Sequence, residues 1–331
     1  MTNIFHQSRD GFNSRLLLYV KRRTGINFKK IATIKKAVWI ASSEKERWII
    51  KEFPKPDKFI QQIELTELLW NNGFHNTYRF HPIHKYGPCY FEERYFGIIQ
   101  YIEPHKHQQF HYGSAKNREE ALSLLCRYHT VASKCVPQLK DKLITFDLWK
   151  KWKNRHETFK RNIVPFKELS IYHHLERYME LGEASLQIMQ DYEGYFFKEP
   201  HSILHGDLAH HNYIRKADGS LYIIDFDLVS IGPKQIDILQ YCNRILSEID
   251  WSPLRLFAEG EAINEYKGDI PFLAALLYPA DIFREWNYFV GYNNKEQKKH
   301  WKHLKEITFG QFEKRVDFSK WIINQIEDLE E

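Results

Sequence analysis

The chain has 331 residues, 43% of them hydrophobic, enough to bury a large core and to make two lobes or domains. Its 48 lysines and arginines against 43 aspartates and glutamates give a net charge of only +5, which leaves no nucleic-acid footprint. No stretch approaches the roughly 20 apolar residues of a membrane span, and Cys89, Cys126, Cys135 and Cys242 lack the spacing of a zinc ribbon or a disulfide framework, so a reducing cytoplasm is the expected compartment.

Residues 12–24 predict a short amphipathic helix closed by Gly25. The apolar run 16–20 inside it is too short for a signal segment and is followed by Lys21-Arg22-Arg23. Residues 30–41 and 46–53 are β-rich and flank the polar turn Ser42-Ser43-Glu44-Lys45. A helix is expected from Phe59 to Asn72, stopping at Gly73, and strand-like sequence from Tyr78 to Ile102. After Pro104 the periodicity is helical, over 118–133, 145–160, 168–195, 234–247, 270–290 and 310–330, apart from a hairpin region at 203–229. A small β-rich lobe, 1–102, and a larger, mainly helical one, 103–331, are the expected organisation. The lysine clusters at 35–36 and 298–305 read as solvated faces.

The most informative segment is His205-Gly206-Asp207-Leu208-Ala209-His210-His211-Asn212, followed by Tyr222-Ile223-Ile224-Asp225-Phe226-Asp227. Between them, Asp218-Gly219 predicts a two-residue hairpin turn. That register pairs residue 212 with 225 and sets Asn212 and Asp225 on one face, with Cβ atoms roughly 5 Å apart. An amide oxygen and a carboxylate so placed suit Mg²⁺, which takes hard oxygen ligands. Asp207, on the loop entering the hairpin, is positioned to accept a proton from a hydroxyl aimed at a metal-bound phosphate. The histidine pairs 81/84, 105/107, 173/174 and 210/211 have no spacing that specifies a metal geometry and read as surface or packed residues. No GxSxG elbow or GxGxxG loop is present.

With this order of elements, His205-x-Asp207-x-x-x-x-Asn212 and Ile224-Asp225-Phe226-Asp227 resemble the aminoglycoside-phosphotransferase and choline-kinase branch of the kinase-like superfamily. The chain looks closest to bacterial spore-coat kinase-like proteins of the CotS type, whose C-terminal helix pattern the run from Leu273 through Pro279, with Phe283 and Tyr288, also resembles. The resemblance implies an α+β, bilobal protein-kinase-like fold with a nucleotide-binding N-lobe and a catalytic, acceptor-binding C-lobe. It implies an ATP- and Mg²⁺-dependent phosphotransferase that moves the γ-phosphate to a hydroxyl of a sugar, polyol or amino alcohol. Asp207 would be the catalytic base, His205 would orient its loop, and Asn212 and Asp225 would hold the metal. Lys51 would anchor phosphate, with Glu64 as its carboxylate partner and Glu67 as the rival, and the backbone of Tyr101, Ile102 and Glu103 would meet the adenine edge. Asp227 is a second metal contact or a polar strand end, and Asp237 a helix cap or a brace for the catalytic loop. In place of a Gly-rich loop, backbone N–H groups of 35–39 would face the phosphates, with Lys35 or Lys36 adding charge. A cationic acceptor would need an acidic cup, for which Glu248, Asp250, Glu259, Glu261 and Glu265 are candidates. The alternative is a spore-coat structural protein with little or no turnover, partnered by other coat proteins and assembled on the coat.

Overall fold

The computed structural model describes residues 3–331, with side chains from Gly11 onward. The chain begins α1 (Asn3–Thr24), β1 (Lys30–Lys35), β2 (Val38–Ser42), β3 (Arg47–Phe53), α2 (Pro56–Asn71), β4 (Cys89–Phe91) and β5 (Arg94–Gln100). Helices α3 (Ala115–Leu139), α4 (Leu148–Ile163) and α5 (Tyr172–Asp191) precede four short strands, β6 (His201–Leu204), β7 (Tyr213–Arg215), β8 (Leu221–Ile223) and β9 (Ser230–Pro233). The remainder is helical: α6 (Gln235–Ile245), α7 (Pro253–Phe257), α8 (Glu261–Asn264), α9 (Ile270–Leu277), α10 (Ala280–Gly291), α11 (Asn294–Lys305) and α12 (Phe312–Glu330). Two compact units share these elements. The first takes the chain up to Phe110 together with Lys134–Leu143 and His211–Leu228; the second takes His111–Ser133, Ile144–His210 and Val229–Glu331. The β7–β8 hairpin therefore packs with the first unit, although chain order alone groups it with the helical part.

The first unit is built on an antiparallel sheet in the order β1-β2-β3-β5-β4. The β-rich segment 30–41 turns back on itself at Lys36-Ala37, with Lys35 paired to Val38 and Ala37 at a φ of 65°. Apolar residues continue on both sides of that turn and no glycine marks it, so the composition carried no break. Alternation then sorts the side chains. Trp39, Ala41, Ile50, Phe96 and Ile98 form one buried cluster with Leu16 and Val20 of α1. On the opposite face of β3, Ile49, Lys51 and Phe53 point the other way, and Phe53 meets Phe59 of α2 edge to face at 5.5 Å. His84, a candidate packed histidine, is buried here; its Nδ1 lies 2.9 Å from the Gly87 carbonyl and its Nε2 accepts from the Ile98 amide at 2.7 Å.

The second unit pairs β6 with β9 in antiparallel register, His201 opposite Pro233 and Leu204 opposite Ser230. Around them the helices bury large aromatics, among them Tyr178, Tyr278, Phe283 and Trp286. The Trp152 ring stacks on Tyr278 at 4.2 Å. The expected helix 270–290 is broken: Tyr278 adopts an extended ψ of 116° ahead of Pro279, the conformation a residue before proline favours, and α10 starts afresh. The lysine-rich run forms α11, headed by a capping box between Asn293 and Glu296. Among the described residues, no helix is long and apolar enough to cross a membrane.

Gly97 lies opposite Lys51 in the β3–β5 ladder, and a Cβ there would stand 2.8 Å from the Phe53 ring and 2.9 Å from the Phe80 ring. Gly97→Ala is expected to cost about 1–3 kcal/mol by overpacking, read as a lower urea midpoint; an unchanged midpoint would contradict this account of the aromatic layer.

Candidate functional site

Each unit presents one set of polar residues, and each set is built by a different local device. In the first unit, β3 carries Lys51 on the face it shares with Ile49 and Phe53, and its side chain is only 12% exposed. An ammonium so enclosed needs counter-charge. It finds two carboxylates, Asp225 at 2.7 Å and Asp227 at 2.7 Å. Glu64 is not its partner: it pairs with Lys142, while Glu67 is exposed. On the same helix, the buried face formed by Phe59, Gln62, Leu65, Thr66 and Leu69 carries the polar group that matters. The Gln62 amide donates to Asp227 and accepts from the Tyr78 hydroxyl at 3.2 Å, so α2 grips the Lys51 pair through Asp227 instead of through a glutamate.

The hairpin register also differs from expectation by one residue. Arg215 pairs with Leu221 and Tyr213 with Ile223, so Asn212 comes opposite Ile224, whose amide donates to the Asn212 carbonyl at 2.9 Å. The loop has three residues, Ala217-Asp218-Gly219. Gly219 takes a φ of 86°, its amide donates to the Lys216 carbonyl at 3.0 Å, and Asp218 Oδ1 accepts from the Ser220 amide at 2.9 Å. Strict alternation would then turn Asp225 to the face away from Asn212. It does not, because Asp225 leaves the strand conformation with a φ of 72°. A left-handed residue other than glycine costs on the order of 1 kcal/mol, and the contacts to Lys51 and, at 3.3 Å, to Lys35 offset it. Asn212 and Asp225 both line a cleft of about 300 Å³.

Beside Lys35 and His211, the rest of that cleft is mostly apolar, with Ile34, Val38, Ile49, Ile99, Ile214 and Ile224, closed by Tyr78, Gln100, Tyr101 and Ile102. Such walls, with a few polar groups at one end, are what a flat heteroaromatic ring with a charged tail requires. Tyr101 and Ile102 reach the cleft as expected, whereas the Glu103 side chain turns to Arg47, which also stacks over the Tyr101 ring at 4.7 Å. Burial alone would raise the Asp225 carboxyl; the Lys51 ammonium, with Lys35, outweighs it and holds the group at about 2. An ionised carboxylate and a buried amide on one cleft wall are hard oxygen donors of the kind Mg²⁺ takes.

In the second unit, β6 ends at Leu204 and delivers the loop with His205 and Asp207. Asp237, in the first turn of α6, braces that loop: its oxygens accept from the backbone amides of His205 at 2.7 Å and Gly206 at 3.1 Å. The helix-cap alternative does not apply, since Lys234 occupies the cap position. Burial would raise the Asp237 carboxyl, but hydrogen bonds from His129 and the His205 amide hold it below its ordinary value. His205 is fully buried, and its Nδ1 accepts from the Asp207 amide at 3.3 Å, a positioning contact. Gln240 clamps the loop from both sides, donating to the Gly206 carbonyl at 2.9 Å and accepting from the Leu208 amide at 2.6 Å. Arg244 reaches the Asp207 carboxylate at 3.2 Å. The sequence reading missed Gln240 and Arg244, and the available signal was their spacing: 237, 240 and 244 fall on one helical stripe.

Replacing Lys51 by Met removes the charge that keeps Asp225 ionised. Lys51→Met is expected to move the Asp225 carboxyl up from about 2 into or above the ordinary range near 4, followed by NMR titration. In the wild type, the depressed value contributes stability that is complete above about pH 4 and is lost as pH falls through about 2. A carboxyl still titrating at about 2 in the variant would show that another group holds it.

A sequence profile for the "Phosphotransferase enzyme family" matches residues 34–272, a span that includes Lys51, Asp207, Asn212 and Asp225. The structure is similar to that of an aminoglycoside phosphotransferase from Alicyclobacillus acidocaldarius, with a TM-score of 0.71 and 14% identity over 93% of this chain and 95% of that one. It is also similar to a spectinomycin phosphotransferase solved with ADP and spectinomycin, with a TM-score of 0.66 and 14% identity over 94% of this chain and 98% of that one. A macrolide 2'-phosphotransferase from Brachybacterium faecium gives a TM-score of 0.51 at 12% identity over 89% and 98%. At these identities the likeness shows the fold, an α+β kinase-like arrangement of an antiparallel sheet followed by helices. The profile match carries the assignment further, because it covers well over half of the sequence: the chain belongs to the phosphotransferase enzyme family.

Proposed function

We propose that the protein transfers the γ-phosphoryl group of ATP to a hydroxyl of a small molecule, a sugar, polyol or amino alcohol, with Mg²⁺ held by Asp225 and Asn212. The observation that supports this best is the enclosed Lys51 ammonium, 2.7 Å from Asp225 on the wall of the apolar cleft. In this reading the apolar walls take the adenine, and the backbone at 101–103 meets its edge. Lys51 exchanges part of its carboxylate contact for phosphate oxygens, and Lys35 on the adjoining hairpin adds a second positive charge. Bound Mg²⁺ would neutralise charge on the phosphates. Asp207 accepts the proton of the attacking hydroxyl, and Arg244 keeps that carboxylate oriented. His205 and Asp237 set the loop and touch no substrate.

The structures of similar fold support a small-molecule acceptor, since those proteins are named for phosphorylation of aminoglycosides, spectinomycin and macrolides. Use of ATP gains support from the relative solved with ADP. Spore-coat assembly rests on the resemblance of the chain to CotS-type proteins alone and adds nothing to the chemistry of the site.

Two variants separate binding from turnover. Asp207→Asn is expected to retain Mg²⁺-dependent stabilisation by ATP while losing about 10²–10⁴-fold in the rate of ADP formation with an acceptor. Asp225→Asn is expected to lose the Mg²⁺-dependent part of ATP binding itself, read by calorimetry. If ATP with Mg²⁺ stabilises neither the wild type nor Asp207→Asn, the phosphotransfer reading fails.

A further inference from the structure

Four cations of the second unit act on one another beside Asp207. Lys151 and Arg155 stand one turn apart on α4, Arg244 on α6 and Arg284 on α10; the Asp207 charge is felt by Lys151 and Arg244, and the Arg284 charge by Lys151, Arg155 and Arg244. Helices α4 and α10 are pinned together, since Asn287 donates to the Arg155 carbonyl at 3.0 Å and the Arg155 guanidinium donates to the Ala280 carbonyl at 3.2 Å. Arg244 reaches Asp207 at 3.2 Å, and Arg284 pairs with Glu285 at 2.9 Å. Asp281 is already committed to Arg315 through hydrogen bonds of 3.0 and 2.6 Å. Among the described residues, Lys151 and Arg155 form no ion pair with a carboxylate; Lys151 lies over the Phe146 ring at 4.6 Å, and Arg155 is half-buried. Among the described residues, the four cations have direct ion pairs with two carboxylates, Asp207 and Glu285, while Asp281, near Arg155 and Arg244, is shared with Arg315.

That excess is costly for Arg155, Arg244 and Arg284, which are partly desolvated, while Lys151 is exposed. Burial lowers the proton affinities of Arg155 and Arg244, and the charge of Arg284 lowers both further. An anion entering among these groups would relieve the repulsion. The acidic cup that a cationic acceptor would need is meanwhile largely neutralised. Glu259 is bound to Arg118 at 2.8 Å, Glu265 to Lys234 at 3.1 Å and Asp250 to Lys314 at 2.9 Å.

We infer that the acceptor is itself an anion: a small hydroxyl compound bearing a phosphate or carboxylate group, which Lys151, Arg155 and Arg284 hold while Asp207 receives the hydroxyl. The inference rests on the phosphotransfer reading above and names the substrate class for it. Guanidinium forks suit either anionic group. In the step itself, the acceptor O–H bond breaks and its proton passes to Asp207. The acceptor oxygen bonds to the γ-phosphorus, and the bond from that phosphorus to the β–γ bridging oxygen breaks, leaving ADP.

The test measures stabilisation and affinity on the full chain with glycerol 3-phosphate, glycerate, glycerol, choline and an aminoglycoside, each with and without ATP and Mg²⁺. The two anions are expected to bind, the phosphate and carboxylate arms showing which group is preferred, and glycerol and the cations are expected not to. Arg155→Gln and Arg284→Gln should each weaken anion affinity at least tenfold, and Arg155→Lys should restore part of it. Stabilisation by ATP with Mg²⁺ in these variants shows that they are folded. Anion affinity unchanged in both glutamine variants, a weakening of ATP binding instead, or binding of the cations alone would overturn the inference. Loss of ATP binding in the wild type while the anions still bind would instead sink the phosphotransfer reading, so the two failures are separable.

Discussion

An ammonium taken out of water is stable only against counter-charge, and in the first unit Lys51 meets that demand with two carboxylates drawn from one short segment after β8. Much of the local architecture serves this arrangement. The pleat of β3 aims Lys51 to the face away from α1, Gly97 leaves room for the aromatic layer beside it, and Gln62 ties Asp227 to α2. Asp225 is held in a left-handed conformation and kept ionised by the same contacts. A carboxylate of that kind carries its charge at any ordinary pH, so it is ready for a cation without first losing a proton.

The second unit solves a different problem, that of holding an irregular loop rigid. Backbone amides in a buried turn need acceptors, and Asp237 and Gln240 supply them from consecutive turns of α6 to His205, Gly206 and Leu208. Asp207 is thereby left with a side chain that is about one-third exposed and touched by Arg244. The contrast in charge between the two sets is instructive. Around Lys51, carboxylates and ammonium groups nearly cancel, whereas beside Asp207 the cations exceed the carboxylates paired with them, and the proposal of an anionic acceptor rests on that contrast.

What the sequence made legible follows from how local each feature is. The loop and strand carrying Asp207, Asn212 and Asp225 could be read because their residues are close in the chain and punctuated by Asp218-Gly219. The same dipeptide misled by one position, since it serves equally as a two-residue turn or as the end of a three-residue loop; the hydrogen bond from the Ser220 amide to Asp218 favours the longer one. Two errors then offset each other: the slip turned Asp225 away from Asn212, and the positive φ at Asp225 turned it back. The sequence choice lay between Glu64 and Glu67, whereas the inward polar residue is Gln62, and two residues along a helix, from Gln62 to Glu64, is a turn of roughly 200°. The buried row Phe59, Gln62, Leu65, Leu69 identifies the inward face once its period is followed. The cation cluster had no local signature at all, because Lys151, Arg244 and Arg284 come from helices far apart in the chain.

The most direct test is a crystal structure of the chain with Mg²⁺ and a non-hydrolysable ATP analogue. The account predicts the metal bonded to the Asp225 carboxylate and the Asn212 amide oxygen, with the Lys51 ammonium against phosphate oxygens and the adenine between Ile49, Ile99 and Ile224. A nucleotide seated outside this cleft, or a metal bound without Asp225, would contradict it.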